Sequence, residues 1–142
     1  MTLSEITPDY SKEGAIYIEP FDLLMDSYDF AKEIANVISG RACQNIAFDD
    51  YCIFEIFKND ICDISALIKE RNFNYAKFRI VSYPNTKDEL NNHEIYLEIL
   101  AHAIIALRKK GNYVVFVGDI EDLISAKTGW NWTEDNPLQP DL

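Results

Sequence analysis

Glycine-rich phosphate loops, nucleophile elbows and zinc-protease helices leave short signatures, and none of them occurs here. The 142 residues contain no G-x-G-x-x-G, Walker-type loop, G-x-S-x-G or H-E-x-x-H. With only two histidines, His93 and His102, a multi-histidine metal centre is excluded. The three cysteines, Cys43, Cys52 and Cys62, are odd in number and lack a C-x-x-C pair. They make neither a complete disulfide framework nor a recognisable zinc site, and a reducing cytoplasm suits them. Cys52 lies between Tyr51 and Ile53, and Cys62 follows Ile61, apolar neighbours of the kind that inert buried thiols have. The longest apolar runs, Ala103 to Leu107 and Tyr113 to Val117, are far too short to cross a bilayer, and MTLSEITPDY lacks the apolar core of a signal peptide.

Basic residues are also scarce: 13 against 24 acids, for a net charge of -11. Such a field repels phosphate backbones and anionic membranes, which argues against nucleic acid or a membrane as direct ligand. It attracts a cationic protein. The imbalance is local. Residues 31 to 118 hold 11 acids and 11 bases, whereas residues 1 to 30 carry seven acids against Lys12, and residues 119 to 142 carry six against Lys127. Chain ends often lie close together, so the two could form one acidic region beside a neutral body.

The 48% hydrophobic content is that of a folded chain, and the length suits one domain, 1–142, with flexible ends expected at 1–13 and 130–142. Its organising stretch is Thr86 to Gly118. Thr86 and Glu89 have the form of a capping box, and Arg108, Lys109 and Lys110 before Gly111 complement the helix dipole at its far end. Between them His93, Leu97, Leu100, Ile104 and Leu107 share one helical face, beside a second apolar stripe of Ile95, Ile99, Ala103 and Ala106. A strand at about 113–118 follows, apolar on both faces as a central strand is.

Upstream, Ala15 to Ile18 reads as a strand, and Glu19-Pro20 opens a helix to Ser39, closed by Gly40, with Phe21, Leu24, Tyr28, Ala31, Ala35 and Ile38 inward. Gln44 to Phe48 and Tyr51 to Lys58 suggest a hairpin around Asp49-Asp50. Asp60 to Arg71 reads as a short helix carrying Ile61, Ile64, Leu67 and Ile68, and Lys77 to Tyr83 as a strand ended by Pro84. Asp119 caps a last helix to about Lys127, with an exposed tail beyond it. The fold class is α/β, with helices packed on a mixed sheet.

On the first of these helices Asp22, Asp26, Asp29 and Glu33 follow at steps of four, three and four, a stripe that is either a solvated face or a docking surface for Lys and Arg. Asp119, Asp122, Glu134 and Asp135 supply the acid of the other end. Trp130 and Trp132 either pack back on the core or anchor an interface. Catalysis has weaker support. Glu98 and His102, four apart, permit an acid-oriented base, and Asp119, Glu121 and Asp122 could hold a divalent cation, which together leave a small metal-dependent hydrolase as the alternative. No complete set of nucleophile, base and orienting group is present, so no catalytic residue, metal or cofactor is assigned.

In size, composition and charge placement the chain resembles small acidic bacterial immunity proteins that neutralise toxins, including those of contact-dependent growth inhibition. The resemblance implies a cytoplasmic, non-enzymatic inhibitor whose carboxylates cover the cationic site of a nuclease toxin. A regulatory or assembly subunit has the same general features.

Overall fold

The computed structural model describes residues 6–86 and 93–140. Its frame is a six-stranded sheet formed by β1 (Gly14–Glu19), β2 (Arg41–Cys43), β3 (Ile46–Phe48), β4 (Cys52–Lys58), β5 (Phe78–Pro84) and β6 (Tyr113–Val117), in the order β2-β3-β4-β5-β1-β6. Among the described residues four α-helices complete it: α1 (Ser27–Ile38), α2 (Ile64–Glu70), α3 (His93–Lys109) and α4 (Glu121–Thr128). The result is a single-domain α/β fold.

Every neighbouring pair is antiparallel, so the expected mixed sheet is corrected to a wholly antiparallel one. The alternation of helix and strand was misleading for a topological reason. The α1 crossover joins β1 to β2, and the α3 crossover joins β5 to β6; each links strands that point the same way but are separated by others in the sheet. The second correction concerns 113–118, expected at the centre and found at an edge, while β1 lies inside between β5 and β6. Edge strands normally leave one row of backbone groups open. Here the tail covers that row: Asn131 Oδ1 accepts from Phe116 N at 3.0 Å, Asn131 Nδ2 donates to Phe116 O at 2.8 Å, and Gln139 Oε1 accepts from Val114 N at 2.8 Å. A strand covered in this way can be apolar on both faces without being central.

One face of the sheet forms the main core. Ile16, Ile18, Phe54, Ile56, Phe78, Ile80, Val114 and Phe116 meet Phe30 and Ile34 of α1, Tyr96, Leu100, Ile104 and Leu107 of α3, and Ile124 of α4. The period-two pattern of the strands sends Phe48, Ile53, Val81 and Tyr83 to the other face, where Ile6 and Ile46 pack and the ring of Tyr10 stands edge-on to Tyr83. The α3 stripe of Leu97, Leu100, Ile104 and Leu107 is buried as expected. Glu89 of the proposed capping box lies outside the described residues; Thr86 donates both its N–H and its hydroxyl to Thr7 O.

The β3–β4 hairpin forms where expected, and a second, β2–β3, turns on Gln44 and Asn45, with Gln44 left-handed at φ 54°. The helix expected from Glu19 begins only at Ser27, and Ser39, left-handed, caps its end in place of Gly40. Glu19 belongs instead to β1, where its carboxylate accepts from Lys77 N. The helix expected from Asp60 begins at Ile64, because Asp63 caps it by accepting from Ala66 N.

Candidate functional site

The segment Pro20 to Met25, expected to be the first turns of a helix, is a bonded loop. Asn112 Oδ1 accepts from Phe21 N at 3.0 Å, and Asp22 Oδ1 accepts from Leu24 N at 3.0 Å. Lys77 Nζ donates to Leu23 O at 2.6 Å and to Met25 O at 2.8 Å. Asp26 then caps α1, accepting from Asp29 N at 2.8 Å. The four-acid stripe is therefore broken: Asp22 and Asp26 precede the helix, Asp29 is in its first turn, and Glu33 pairs with Lys110 at 2.9 Å. Phe21 and Leu24, expected inward, are 78% and 93% exposed. The signal that could have located this boundary is Asp26-Ser27-Tyr28-Asp29, an N-cap residue followed by acid at the third helical position.

A second acidic group forms where residues 11–13, ahead of β1, meet the end of β6. Ser11, Lys12, Glu13, His93, Phe116, Asp119 and Ile120 line one pocket of about 130 Å³, so residues near the two ends do come together there. Asp119 is exposed and does not cap α4, whose N-cap position is Ile120 with no side-chain bond; Glu121 Oε1 accepts from Gly118 N at 3.4 Å instead. Asp122 is exposed on the same helix.

The third group involves the tail. Trp130 is buried, with Nε1 donating to Asn136 O, so it is not available as a surface anchor. Trp132 is half-buried, sets its ring edge-on to Phe73 at 5.0 Å and donates to Arg71 O at 2.9 Å. Beside it Glu70, Arg71, Glu134 and Asp135 line an open pocket of about 370 Å³. The tail expected to be exposed is thus bonded along β6 and to the turn after α2.

Glu98 pairs with Lys127, not with His102, four residues along the same exposed side of α3. Among the described residues no three His, Cys, Asp or Glu side chains are grouped to hold a metal ion. Burial and nearby Asp49 push the Cys52 thiol well above its usual range, whereas Cys62, expected buried, is half-exposed. Burial raises Glu19 and Asp49 as well, against the backbone N–H groups that each accepts. No described helix is long and apolar enough to cross a membrane. Comparison with protein-family models, curated proteins and solved structures finds no match.

Proposed function

We propose that this chain is a stoichiometric inhibitor of the immunity type, binding and blocking the cationic face of a cognate nuclease toxin in the cytoplasm. The observation that carries this reading is that the acid excess is not consumed inside the fold. Asp22, Asp26, Asp29, Asp119, Asp122, Glu134 and Asp135 are all exposed, and none forms an ion pair with a described residue. Like charges held together on a surface repel one another, a cost that a cationic partner removes on binding. Carboxylates in that setting occupy the places where the toxin would hold phosphates.

The test is reconstitution with the product of a neighbouring reading frame that ends in a basic domain. Purified together, the two proteins should form a one-to-one complex, and the complex should lack the nuclease activity of the free partner. Failure of the purified pair to associate at low salt, where electrostatic attraction is least screened, would remove this reading.

A further inference from the structure

We infer that the loop 20–26 and the start of α2 form the apolar seat of the interface, and that its occupant is a protein segment presenting an aliphatic side chain flanked by Lys or Arg. The inference rests on the cationic-partner reading and adds where the partner docks and by which chemistry.

Single exposed apolar residues are ordinary on a protein surface. This group differs in being held outward. The loop carrying Phe21, Leu23 and Leu24 is fixed by the Asn112, Asp22 and Lys77 bonds, and the ring of Phe21 lies over Gly111, where a Cβ would come within 2.9 Å of Phe21 Cδ2. Gly111 is itself left-handed, at φ 93°. Phe21 therefore has a backbone platform beneath it and solvent above. Across from the loop, Leu23 and Ile64 line the same pocket of about 250 Å³, with Glu19, Lys58, Cys62, Asp63 and Lys77. No residue of α2 is buried, and Ile61, Ile64 and Ile68 are exposed. A helix of seven residues with no buried face draws little stability from packing of its own.

Charge complementarity selects the occupant. Asp22 and Asp26 bracket Leu23 and Leu24 in the chain, Asp60 and Asp63 bracket Ile61, and all four acids are exposed. Asp63 and Glu19 line the pocket itself, where Lys77 directs its ammonium to the loop carbonyls and leaves Lys58 as the exposed cation. An apolar centre with a charged rim is the arrangement of interface hot spots, and a preformed loop avoids the ordering cost of association. Acid around the rim disfavours an anionic lipid surface and a second copy of the same acidic patch.

The experiment titrates the full-length protein with two synthetic peptides: one of Leu and Lys at helical spacing, the other a charge-matched control with Ser in place of every Leu. Amide shifts are mapped by NMR. The Leu-containing peptide should bind about tenfold more tightly or better, the gain from burying one leucine-sized side chain, with shifts confined to 20–26 and 60–68. That advantage should vanish in Leu23→Ser combined with Ile64→Ser, the two apolar side chains that share the pocket, with circular dichroism confirming that the variant is folded. Equal affinities, or shifts centred on α4 or the tail, would overturn the apolar seat while leaving the cationic-partner reading intact. Binding to anionic vesicles, or self-association of the free protein reversed by Leu24→Ser, would overturn the assigned occupant. If neither peptide binds, the seat is rejected, and the broader reading is decided separately by complex formation with the neighbour's product.

Discussion

Arg108 of α3 lays its guanidinium over the indole of Trp130, 5.0 Å from the ring centroid, and donates to Trp130 O at 3.0 Å and to Val114 O from both Nε and Nη2. One buried side chain thereby ties the longest helix to the edge strand and to the tail. At the sequence level Arg108 reads as a dipole-complementing cation beside Lys109 and Lys110. Those two are exposed, but Arg108 is turned into the fold, where burial lowers its guanidinium to about 10 and the neighbouring Tyr113 opposes that shift.

Replacing Arg108 by Met keeps much of the aliphatic volume but leaves the Val114 and Trp130 carbonyls without these donors. Trp130 O still accepts from Thr128 Oγ1, so the lost bonds from a charged donor and the penalty of the one unsatisfied acceptor, Val114 O, together predict a loss of about 2 to 4 kcal/mol. Urea melts would measure it, and a loss under about half a kcal/mol would mean that the buried cation costs as much as its bonds return.

The bonds along the edge of β6 predict a local effect. In Asn131→Ala the Phe116 amide loses its acceptor, and in Gln139→Ala the Val114 amide does. Native-state hydrogen exchange should show each of these amides losing protection selectively, while Ile18 and Ile80 in the sheet interior keep theirs. Buried Asn131 should also cost about 1 to 3 kcal/mol of global stability, and Gln139, part-exposed, less. Unchanged exchange at Phe116 in Asn131→Ala would remove the tail from its role in covering the edge.

Alkaline pH should weaken the fold. Burial raises the Tyr113 phenol to about 12 and raises Tyr96 further, so in the folded state both stay protonated after their unfolded counterparts ionise. Their stabilising contribution is complete below about pH 10 and is lost as pH rises through the folded values. Arg108 acts in the opposite sense over the same window, since its folded value lies below its unfolded one, but it is one group against these two and Tyr83, whose phenol burial also raises to about 12. Phenolate absorbance should therefore rise in two stages, with a late stage coincident with unfolding and diminished in Tyr113→Phe. A single stage at the ordinary tyrosine value would contradict the burial of these rings.

What the sequence disclosed and what it withheld follow from the range of each signal. Periodicity located α3, β1, β4, β5 and β6 because burial on a face repeats within a few residues. Sheet order was not legible: the apolar pattern of Tyr113 to Val117 is the same whether another strand or the amides of Asn131 and Gln139 lie beside it. The acidic stripe failed at Asp26. Helical spacing continues formally through Phe21 and Leu24, but Asp26 is a better cap than interior residue, and the bonds from Asn112 and Lys77 that hold the loop come from distant parts of the chain. Likewise, Trp130 was legible as either packing or anchor, and Arg108, 22 residues away, decides between them.

The boundary at Asp26 also determines how the electrostatic proposal can be tested without damaging the fold. Lysine at Asp26 would destroy the cap of α1, so slower binding could reflect a frayed helix. Asparagine retains the capping oxygen and removes only the charge. In the double substitution Asp26→Asn, Asp29→Asn, stability should fall by well under about 1 kcal/mol, chiefly from the lost favourable charge at the helix start. Association with the cationic partner should nevertheless slow, and its salt dependence should become shallower, because exposed charges act on diffusional encounter more than on dissociation. Stopped-flow measurements at about 0.1 M and 1 M salt span a change in Debye length from about 10 Å to about 3 Å, enough to separate steering from contact. If the variant and the parent associate at the same rate at both salt concentrations, Asp26 and Asp29 do not steer the partner. If the variant instead dissociates faster with unchanged association, these carboxylates make direct buried contacts.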